Sequence, residues 1–410
     1  DAKGYWEVNL KALEAGGPYQ LQITGKDNQI SIKDILIGDV WLCSGQSNMQ
    51  WVVNNVTNAE VEKKNANYSQ IRTLNIPRRM ELSPKDTIST TWLVCSPETV
   101  GRFSGVAYFF ARKVYEETNI PIGIINSSWG GTIVETWTSL EAANTLPQKR
   151  LDRYNKNEKL SPPTEYFTRT NKEAKRNDYP SLVYNAMIHP LLSFAIKGVV
   201  WYQGENNVGN AEPYTDWLTC MISDWRNRWN SELPFYIIQL PNFDSTNKTP
   251  LWAEIRDAQR KVLTVPKTHL IVTSDLGDPH DLHPRNKQEV GMRVALQVLH
   301  HEYGRPDIVS ESPMFERMEI NGDKIIITFK NTGSGLEIRS RYGCLQGFAI
   351  AGEDKKFYWA QGELKDNRIV IWNPKVPNPI AVRYNWENNP DGNLYNKDGL
   401  PACLFRTDNW

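Results

Sequence analysis

Polar residues suited to one reaction stand directly after the apolar runs of this sequence. Ser47 follows the first run, Gly130 and Gly131 follow the second, Gln203 and Glu205 follow the third, and a His- and Asp-rich segment, residues 275–284, follows the last. A hydroxyl group, a glycine pair, an amide with a carboxylate, and a histidine with acidic neighbours are the components of nucleophilic acyl transfer. The sequence therefore predicts that chemistry.

Ser47 is the predicted nucleophile. A serine hydroxyl is barely ionised at neutral pH, so it needs a base and hydrogen-bond donors for the oxyanion. Gly45 permits a sharp turn, and a helix beginning near Ser47 would direct backbone N–H groups at developing negative charge. The pattern G-x-S-x-M differs from the G-x-S-x-G elbow of α/β-hydrolases. Serine after glycine is by itself typical of a turn or N-cap, so the assignment depends on the other residues.

His283 is the predicted base. It precedes Pro284, which suits the first turn of a helix, and acidic neighbours could orient its ring. Of the 6 histidines, only His280 and His283 lie in a polar loop at a strand end. A metal site formed by His280, Asp281 and His283 is the alternative, but it lacks a third well-spaced ligand.

The remaining polar residues would complete the site. Gly130 and Gly131 let backbone approach a ligand closely, and Gln203 can donate an amide N–H to an oxyanion. Glu205 is a candidate acid partner for the histidine. The alternative for Gln203 and Glu205 is a buried hydrogen-bonded pair that stabilises loops. Trp129 is one of several tryptophans near these motifs that could stack on a sugar ring.

These residues need a scaffold that brings strand ends together. Between residues 35 and about 304, short apolar runs alternate with helical periodicities, which indicates a parallel sheet covered on both faces. Ligands bind outside the carboxyl ends of such strands. The apolar runs are residues 35–43, 122–126, 198–202, 235–240 and 269–273, and the helical patterns begin at Phe103, Tyr214 and Val290.

Both ends of the chain read as strands. Residues 5–8, the turn Gly16-Gly17-Pro18 and the alternation over residues 19–23 predict a hairpin that is too small to bury a face alone. After Pro306, strand patterns alternate with Gly, Asn and Pro clusters. We predict N-terminal strands over residues 1–35, an α/β domain over 36–305 and a β-rich domain over 306–410, with the two ends forming one accessory β-domain.

Composition excludes several classes of protein. The chain has 410 residues, of which 47 are basic and 47 acidic. Nucleic-acid binding needs a basic surface, so we exclude nucleic acid as the main partner. No apolar run approaches the length of about 18 residues that suggests a membrane span. The 5 cysteines are odd in number and lie far apart, which indicates neither a zinc cluster nor a disulfide framework.

Four motifs, in order, resemble those of the sialate O-acetylesterase family. They are Gly45-Gln46-Ser47-Asn48-Met49, Trp129-Gly130-Gly131-Thr132 with Glu135 and Trp137, Trp201-Tyr202-Gln203-Gly204-Glu205, and Asp281-Leu282-His283-Pro284 with Lys287. That family belongs to the carbohydrate-esterase branch of the SGNH (GDSL-like) hydrolases. The resemblance covers nearly the whole chain and implies a flavodoxin-like three-layer core that hydrolyses O-acetyl esters on sugars without a metal or organic cofactor.

The resemblance also implies residue roles. Ser47 would be the nucleophile and His283 the general base, and the oxyanion hole would consist of the Ser47 amide, a Gly130 or Gly131 amide and the Gln203 side chain. The usual D-x-x-H arrangement would place aspartate where this sequence has His280. We therefore favour Asp281 as the triad acid and Glu205 as the second choice, with Asp275 and Asp278 as rivals.

The substrate stays open at this point. Acetylated sialate and acetylated xylan or another polysaccharide are both compatible with the resemblance, and a non-catalytic glycan-binding module is the alternative from another class. A sialate carboxylate would call for an arginine, for which Arg285 is the candidate. The resemblance further implies a periplasmic or secreted protein, and it leads us to expect that the beginning of the N-terminal domain is missing. The sequence does not indicate an oligomeric state.

Overall fold

A separate hairpin precedes the main sheet. The computed structural model describes residues 8, 10, 11, 13–244 and 249–410, so most of the predicted strand at residues 5–8 lies outside the described residues. β1 (Gly16–Thr24) and β2 (Gln29–Ile37) pair antiparallel with each other. In the described part of the chain they form a two-stranded sheet of their own, and not the expected joint sheet with the C-terminal strands. The reason is chain connectivity, because only Gly38 separates β2 from the first strand of the central sheet. An ion pair of 2.7 Å between Asp34 of β2 and Arg72 of the central sheet also holds the hairpin there.

A seven-stranded sheet forms the centre of the molecule. Its strands are β3 (Asp39–Gly45), β4 (Tyr68–Asn75), β5 (Trp92–Cys95), β6 (Ile122–Ser128), β7 (Gly198–Tyr202), β8 (Phe235–Ile238) and β9 (Thr268–Ile271). Their order across the sheet is β5-β4-β6-β3-β7-β8-β9, and every neighbouring pair is parallel except β5 with β4. The predicted alternation of strands and helices around a parallel sheet is therefore confirmed.

Helices connect these strands. They are α1 (Ser47–Gln50), α2 (Ala59–Asn65), α3 (Gly105–Thr118), α4 (Leu140–Ala143), α5 (Gln148–Leu151), α6 (Pro163–Thr170), α7 (Tyr184–Met187), α8 (Ala211–Trp229), α9 (Leu251–Lys261) and α10 (Lys287–Glu302). Single turns of 3₁₀ helix lie at Val53–Asn55, Val100–Arg102, Val134–Trp137, His189–Leu191, Glu205–Asn207 and Val262–Thr264. Among the described residues, no helix is long and apolar enough to span a membrane.

The helices cover both faces of the sheet. The Trp41 ring contacts Phe110 of α3 with ring centroids 5.3 Å apart, whereas Trp201 contacts Trp225 of α8 at 5.8 Å. Trp201 is in register with Ser44, three residues after Trp41, and side chains alternate between faces along a strand. Trp41 and Trp201 therefore point to opposite faces. The buried apolar residues of both faces form one continuous cluster.

The C-terminal region is built from short strands around its own apolar cluster. The strands are β10 (Met314–Asn321), β11 (Lys324–Lys330), β12 (Leu336–Ile338), β13 (Phe348–Ala351), β14 (Phe357–Trp359), β15 (Gln361–Lys365), β16 (Arg368–Trp372), β17 (Ala381–Tyr384), β18 (Leu394–Asn396) and β19 (Phe405–Arg406). They form sheets in the orders β10-β11-β16-β15, β12-β18 and β14-β13-β17-β19. Trp386, Cys403 and Leu404 pack into the cluster of the central domain and join the two regions. The predicted β-rich C-terminal region is confirmed.

Candidate active site

A tight turn presents Ser47 at the carboxyl end of β3. Gly45 has φ +134°, and a Cβ atom there would lie 2.1 Å from the Tyr202 carbonyl oxygen, so only glycine fits. The next residue, Gln46, donates its backbone N–H to the same Tyr202 oxygen at 2.9 Å. Ser47 then begins α1 and is half-buried. Because α1 comprises only 4 residues, it offers local amide groups instead of a long-helix dipole.

Gly130 lies against the predicted nucleophile. A Cβ atom on Gly130 would lie 3.2 Å from the Ser47 Cβ atom, so any larger residue would crowd the serine. The Gly130 N–H donates a hydrogen bond of 2.9 Å to the Gln50 side-chain oxygen. The structure therefore brings a backbone donor beside Ser47, as expected, but Gln50 occupies that donor. The sequence reasoning missed Gln50, although its position one turn after Ser47 on α1 was a usable signal.

Gly131 and Trp129 complete this turn. Gly131 has φ +75°, and its carbonyl oxygen accepts a hydrogen bond of 2.7 Å from the Asn206 side chain. A Cβ atom on Gly131 would lie 2.6 Å from a guanidinium nitrogen of Arg176, whose side chain also lies over the Trp129 ring at 5.8 Å. Arg176 is exposed and belongs to the charged segment that connects α6 and α7. The structure thus places an arginine beside the turn that flanks Ser47.

Gln203 forms hydrogen bonds that hold together the loops around the candidate site. Its side-chain amide donates to the Thr132 carbonyl at 3.1 Å and to the Asn207 side-chain oxygen at 2.8 Å. Its own side-chain oxygen accepts from the Tyr214 hydroxyl at 3.0 Å. Gln203 is fully buried, and both of its amide hydrogens are committed, so none is left for an oxyanion in this arrangement. The contacts match the alternative of a loop-stabilising residue.

A buried clamp joins the Ser47 helix to the His283 loop. The Asn48 side chain donates to a Glu205 carboxylate oxygen at 2.5 Å and to the Leu282 carbonyl oxygen at 3.0 Å. Lys287, at the start of α10, donates its ammonium group to the Asn48 side-chain oxygen. We call these four residues, Asn48, Glu205, Leu282 and Lys287, the Asn48 clamp. It fixes residues adjacent to Ser47 and His283 relative to each other, so the two predicted catalytic residues share one edge of the sheet.

Burial disfavours charge on the ionisable members of the Asn48 clamp. Desolvation raises the pKa of Glu205, while the hydrogen bond from Asn48 opposes that rise. Desolvation also lowers the pKa of Lys287 to about 7, with Glu205 opposing that fall. Both shifts point toward the neutral forms because the dry surroundings stabilise a charge poorly. One carboxylate oxygen of Glu205 is buried without a partner among the described residues.

His283 stacks on the tryptophan that follows α1. The rings of His283 and Trp51 lie 4.8 Å apart at an angle of 10°. The Nε2 atom of His283 is buried without a partner among the described residues, which leaves it free to handle a proton. Burial, and next the charge of Lys287, lower the pKa of His283, while Asp281 acts in the opposite direction. The ring is therefore held mainly in the neutral form that a general base requires.

The three aspartate candidates for the triad acid differ in the groups that they contact. Asp281 accepts the backbone N–H of His283 at 2.8 Å, so it contacts the backbone of the residue that carries the predicted base. Asp275 is held by two guanidinium contacts of 2.7 Å from Arg293. Asp278 accepts the backbone N–H of His280 at 2.9 Å. Asp275 and Asp278 are thus committed elsewhere.

Two other sequence-based candidates receive little support. Across the described ranges, the side chains of His280, Asp281 and His283 do not bring their ligand atoms together, so the alternative metal site does not form. Arg285 is exposed, and its backbone carbonyl oxygen accepts the backbone N–H of Thr57 at 3.0 Å. The sequence reasoning considered Arg285 as a carboxylate ligand and missed Arg176.

The fold and site define an α/β protein whose candidate site lies at the carboxyl edge of a mostly parallel sheet. The family model described as carbohydrate esterase, sialic acid-specific acetylesterase, matches residues 37–300, and the chain belongs to this family. The resemblance found in the sequence is therefore confirmed.

Individual relatives agree with this family. Sialate O-acetylesterase of Pongo abelii is 33% identical over 355 residues, which cover 78% of this chain and 64% of the relative. The Homo sapiens protein of the same name is 32% identical, with the same coverage of 78% and 64%. The chain thus spans 64% of the length of these relatives. A solved carbohydrate acetylesterase from Xanthomonas citri superposes with a TM-score of 0.89 at 38% identity and covers 100% of this chain and 90% of that chain.

Proposed function

We propose that this chain is a carbohydrate O-acetylesterase that uses Ser47 as its nucleophile. The observation that carries the proposal is the convergence of three groups at one sheet edge. Ser47 stands on a glycine turn, Gly130 lies so close that a Cβ atom added to it would be 3.2 Å from the Ser47 Cβ atom, and next to α1 His283 presents a buried nitrogen without a partner among the described residues. Membership of the carbohydrate esterase family supports the substrate class.

The proposed reaction has two halves and uses only groups of the chain and water. The Ser47 hydroxyl oxygen bonds to the acetyl carbonyl carbon while His283 takes the hydroxyl proton. The tetrahedral intermediate then expels the sugar oxygen, which receives that proton from His283, and an acetyl-serine remains. Water attacks the acetyl group with His283 again accepting a proton, and acetate leaves as the proton returns to Ser47.

We propose the Ser47 and Gly130 amides as the oxyanion donors. Oxyanion stabilisation depends on N–H groups held near the developing charge, and Gly130 is already in place. The Gln50 side chain has to turn away first because its oxygen accepts the Gly130 N–H in this structure. Gln203 then has a structural role, because its hydrogen bonds to Thr132 and Asn207 hold the turn that contains Gly130.

We propose Asp281 as the acid that orients His283. Its hydrogen bond to the His283 backbone and the electrostatic effect on the His283 pKa support this choice. Glu205, the second choice, is held in the Asn48 clamp by a 2.5 Å hydrogen bond. We assign Glu205 a positioning role for the loop that carries His283.

The pH dependence of hydrolysis tests the role of His283. His283 must be neutral to act as a base, so kcat/KM should fall as pH drops through its pKa, which lies below the ordinary 6.5. Replacing Lys287 with methionine removes a positive charge that lowers this pKa. We expect the acid limb of the kcat/KM profile to move to higher pH in the Lys287→Met variant.

Removing a negative charge near His283 provides the control. Asp281 raises the pKa of His283, so Asp281→Asn should move the acid limb to lower pH in whatever activity remains. Circular dichroism would confirm that both variants are folded. An acid limb that moves in the same direction in both variants would contradict the assignment of His283 as the titrating base.

Arg176 supports an acidic sugar as the substrate. Its guanidinium group lies beside Gly131 and Trp129, and the described residues form no salt bridge with it. A guanidinium group matches a carboxylate geometrically and can bind it through two hydrogen bonds. We therefore propose that Arg176, and not Arg285, binds the carboxylate of an O-acetylated sialate, the substrate class named for the relatives. Trp129 would provide a face for the sugar ring.

Acetate release from two substrate classes tests this assignment. We expect Arg176→Ala to raise KM for an O-acetylated sialoside by about 10- to 100-fold, because a charge-assisted hydrogen bond contributes roughly 1.5–3 kcal/mol. KM for a neutral acetylated xylo-oligosaccharide should stay unchanged. The matched control, Arg285→Ala, should leave both values unchanged. A wild-type preference for the neutral substrate would favour the acetylxylan alternative instead.

We propose that the central sheet and its helices are the flavodoxin-like three-layer core of an SGNH hydrolase spanning residues 36–305, with residues 306–410 as an accessory β-domain. Six parallel strands covered on both faces and a separate C-terminal apolar cluster support this division. A periplasmic or secreted location is proposed from the family resemblance, and cell fractionation would test it.

A further inference from the structure

A second group of reactive side chains lies away from Ser47. Ligand atoms of His269, His301 and Glu311 all lie within 4.8 Å of one another. His269 belongs to β9, His301 to the last turn of α10, and Glu311 to the segment between α10 and β10. In the described ranges this is the only group of three such residues that converges. Their convergence is a product of the fold because they come from three separate elements.

The spacing of these atoms suits a metal ion. The Nε2 atom of His301 lies 3.4 Å from a Glu311 carboxylate oxygen. Two ligands that each lie about 2.0–2.1 Å from a tetrahedral zinc ion are separated by roughly 3.3–3.4 Å. The rings of His269 and His301 have centroids 4.0 Å apart at an angle of 31°, so at least one ring must rotate before both nitrogens face one ion. We propose that His269, His301 and Glu311 bind a divalent transition metal of the zinc type, with water as the fourth ligand.

The surroundings restrain one proposed ligand, His269, and also His300, the residue next to another. Tyr236 stacks on His269 with ring centroids 4.9 Å apart, and its hydroxyl donates to Glu302 at 3.3 Å. His300, next to His301, has its Nδ1 atom 2.9 Å from the Ile308 carbonyl oxygen. A ligand set that is restrained before binding loses less conformational entropy when the ion arrives. The main rearrangement on binding is therefore a rotation of the imidazole rings of His269 and His301.

The ion has a route to the site. His269 and His301 line a cavity of about 520 Å³, to which Glu302 and two lysines also contribute. One of them, Lys197, is paired with Asp39 at 3.2 Å, which offsets part of its repulsion of a cation. Glu302 adds negative charge on the same wall. The cavity thus combines solvent access with two carboxylates, Glu232 and Glu302.

The proposed metal lies far from the reaction. His301 follows Lys287 of the Asn48 clamp by 14 residues along α10, which corresponds to about 21 Å of helix. Glu311 stands shortly before β10, so the ion would attach the start of the C-terminal region to β9 and α10. The expected effect is on stability and not on the chemistry at Ser47, so the proposal is independent of the esterase proposal.

Zinc titration of the full chain tests the site. After chelator treatment, we expect calorimetry to show one zinc ion bound per chain. Zinc at about 100 times its dissociation constant should raise the Tm by roughly 2–4 °C. Cobalt should produce the visible absorption of a tetrahedral complex with nitrogen and oxygen ligands. His301→Ala and Glu311→Gln should lose the stoichiometric binding and the zinc-dependent rise in Tm.

The controls separate a metal site from a plain ion pair. His301→Ala also removes the contact with Glu311, so the decisive quantity in each variant is the difference in Tm with and without zinc. His189→Ala, a histidine outside the group, should retain the full response. If the wild type binds no more zinc than His301→Ala does, or if zinc leaves its Tm unchanged, the proposal is overturned and the group is an ordinary ion pair.

Discussion

Replacing Ser47 with alanine is expected to lower kcat/KM for an aryl acetate by at least about 10³-fold, because the variant lacks the hydroxyl group proposed to attack the ester. That loss corresponds to about 4 kcal/mol of transition-state stabilisation. The serine is only half-buried, and the turn that carries it is held by a backbone hydrogen bond from Gln46 to Tyr202. The Ser47→Ala variant should therefore fold normally. Release of the aryl alcohol, followed spectroscopically, measures the effect.

A serine in the C-terminal region provides the matched control. Ser334 is exposed, and its hydroxyl bonds to Asp398 at 2.8 Å, so Ser334→Ala should retain wild-type turnover. Undiminished hydrolysis by Ser47→Ala would remove the proposed mechanism. Glycan binding by the wild-type protein without acetate release would instead support the non-catalytic alternative.

Loss of the His283 imidazole is expected to be the second largest effect. His283→Ala and His283→Gln should both lower kcat/KM by about 10³-fold or more, because Ser47 would lose the group that removes its proton. Glutamine preserves much of the side-chain volume beside Trp51, so agreement between the variants would separate the proton-transfer role from the packing role. Steady-state kinetics over a range of pH measures the effect.

The neighbouring histidine serves as the control for this position. His280 lies in the same loop but is exposed, so His280→Ala should keep most of the activity. Added imidazole should restore part of the turnover of His283→Ala, since the variant leaves space where the ring stood. A His283→Ala variant that retains more than about a tenth of wild-type activity would rule out the proposed base.

The sheet was predictable where strands are continuous and apolar. The run at residues 198–202 coincides with β7, whose five residues are all buried, because a central parallel strand has no polar face. β4 was missed because exposed and half-buried residues interrupt its pattern beside the edge strand β5. α9 was missed for a related reason. It buries Arg256, Asp257 and Gln259, which obscures the apolar periodicity of a helix.

The main residues of the candidate site could be predicted from the sequence, but the contacts between them could not. Strand ends identified Ser47 and His283 because parallel strands bring their carboxyl ends to one edge. The pairing of Gln203 with Thr132 and Asn207 depends on how three loops meet, which no local pattern specifies. Arg176 comes from a charged segment without periodicity, so nothing in its spacing linked it to Gly131.

The contact between Gln50 and Gly130 affects how tightly this site binds its ligands. Every ligand that uses the Gly130 amide competes with an internal acceptor, so its apparent affinity is reduced by the fraction of molecules in which Gln50 has turned away. An acetylated sugar has a ring and other groups that can compensate for this reduction. Free acetate has only its carboxylate. The factor is the same for both ligands, so acetate stays the weaker binder, and a small residue at position 50 should make it a stronger inhibitor.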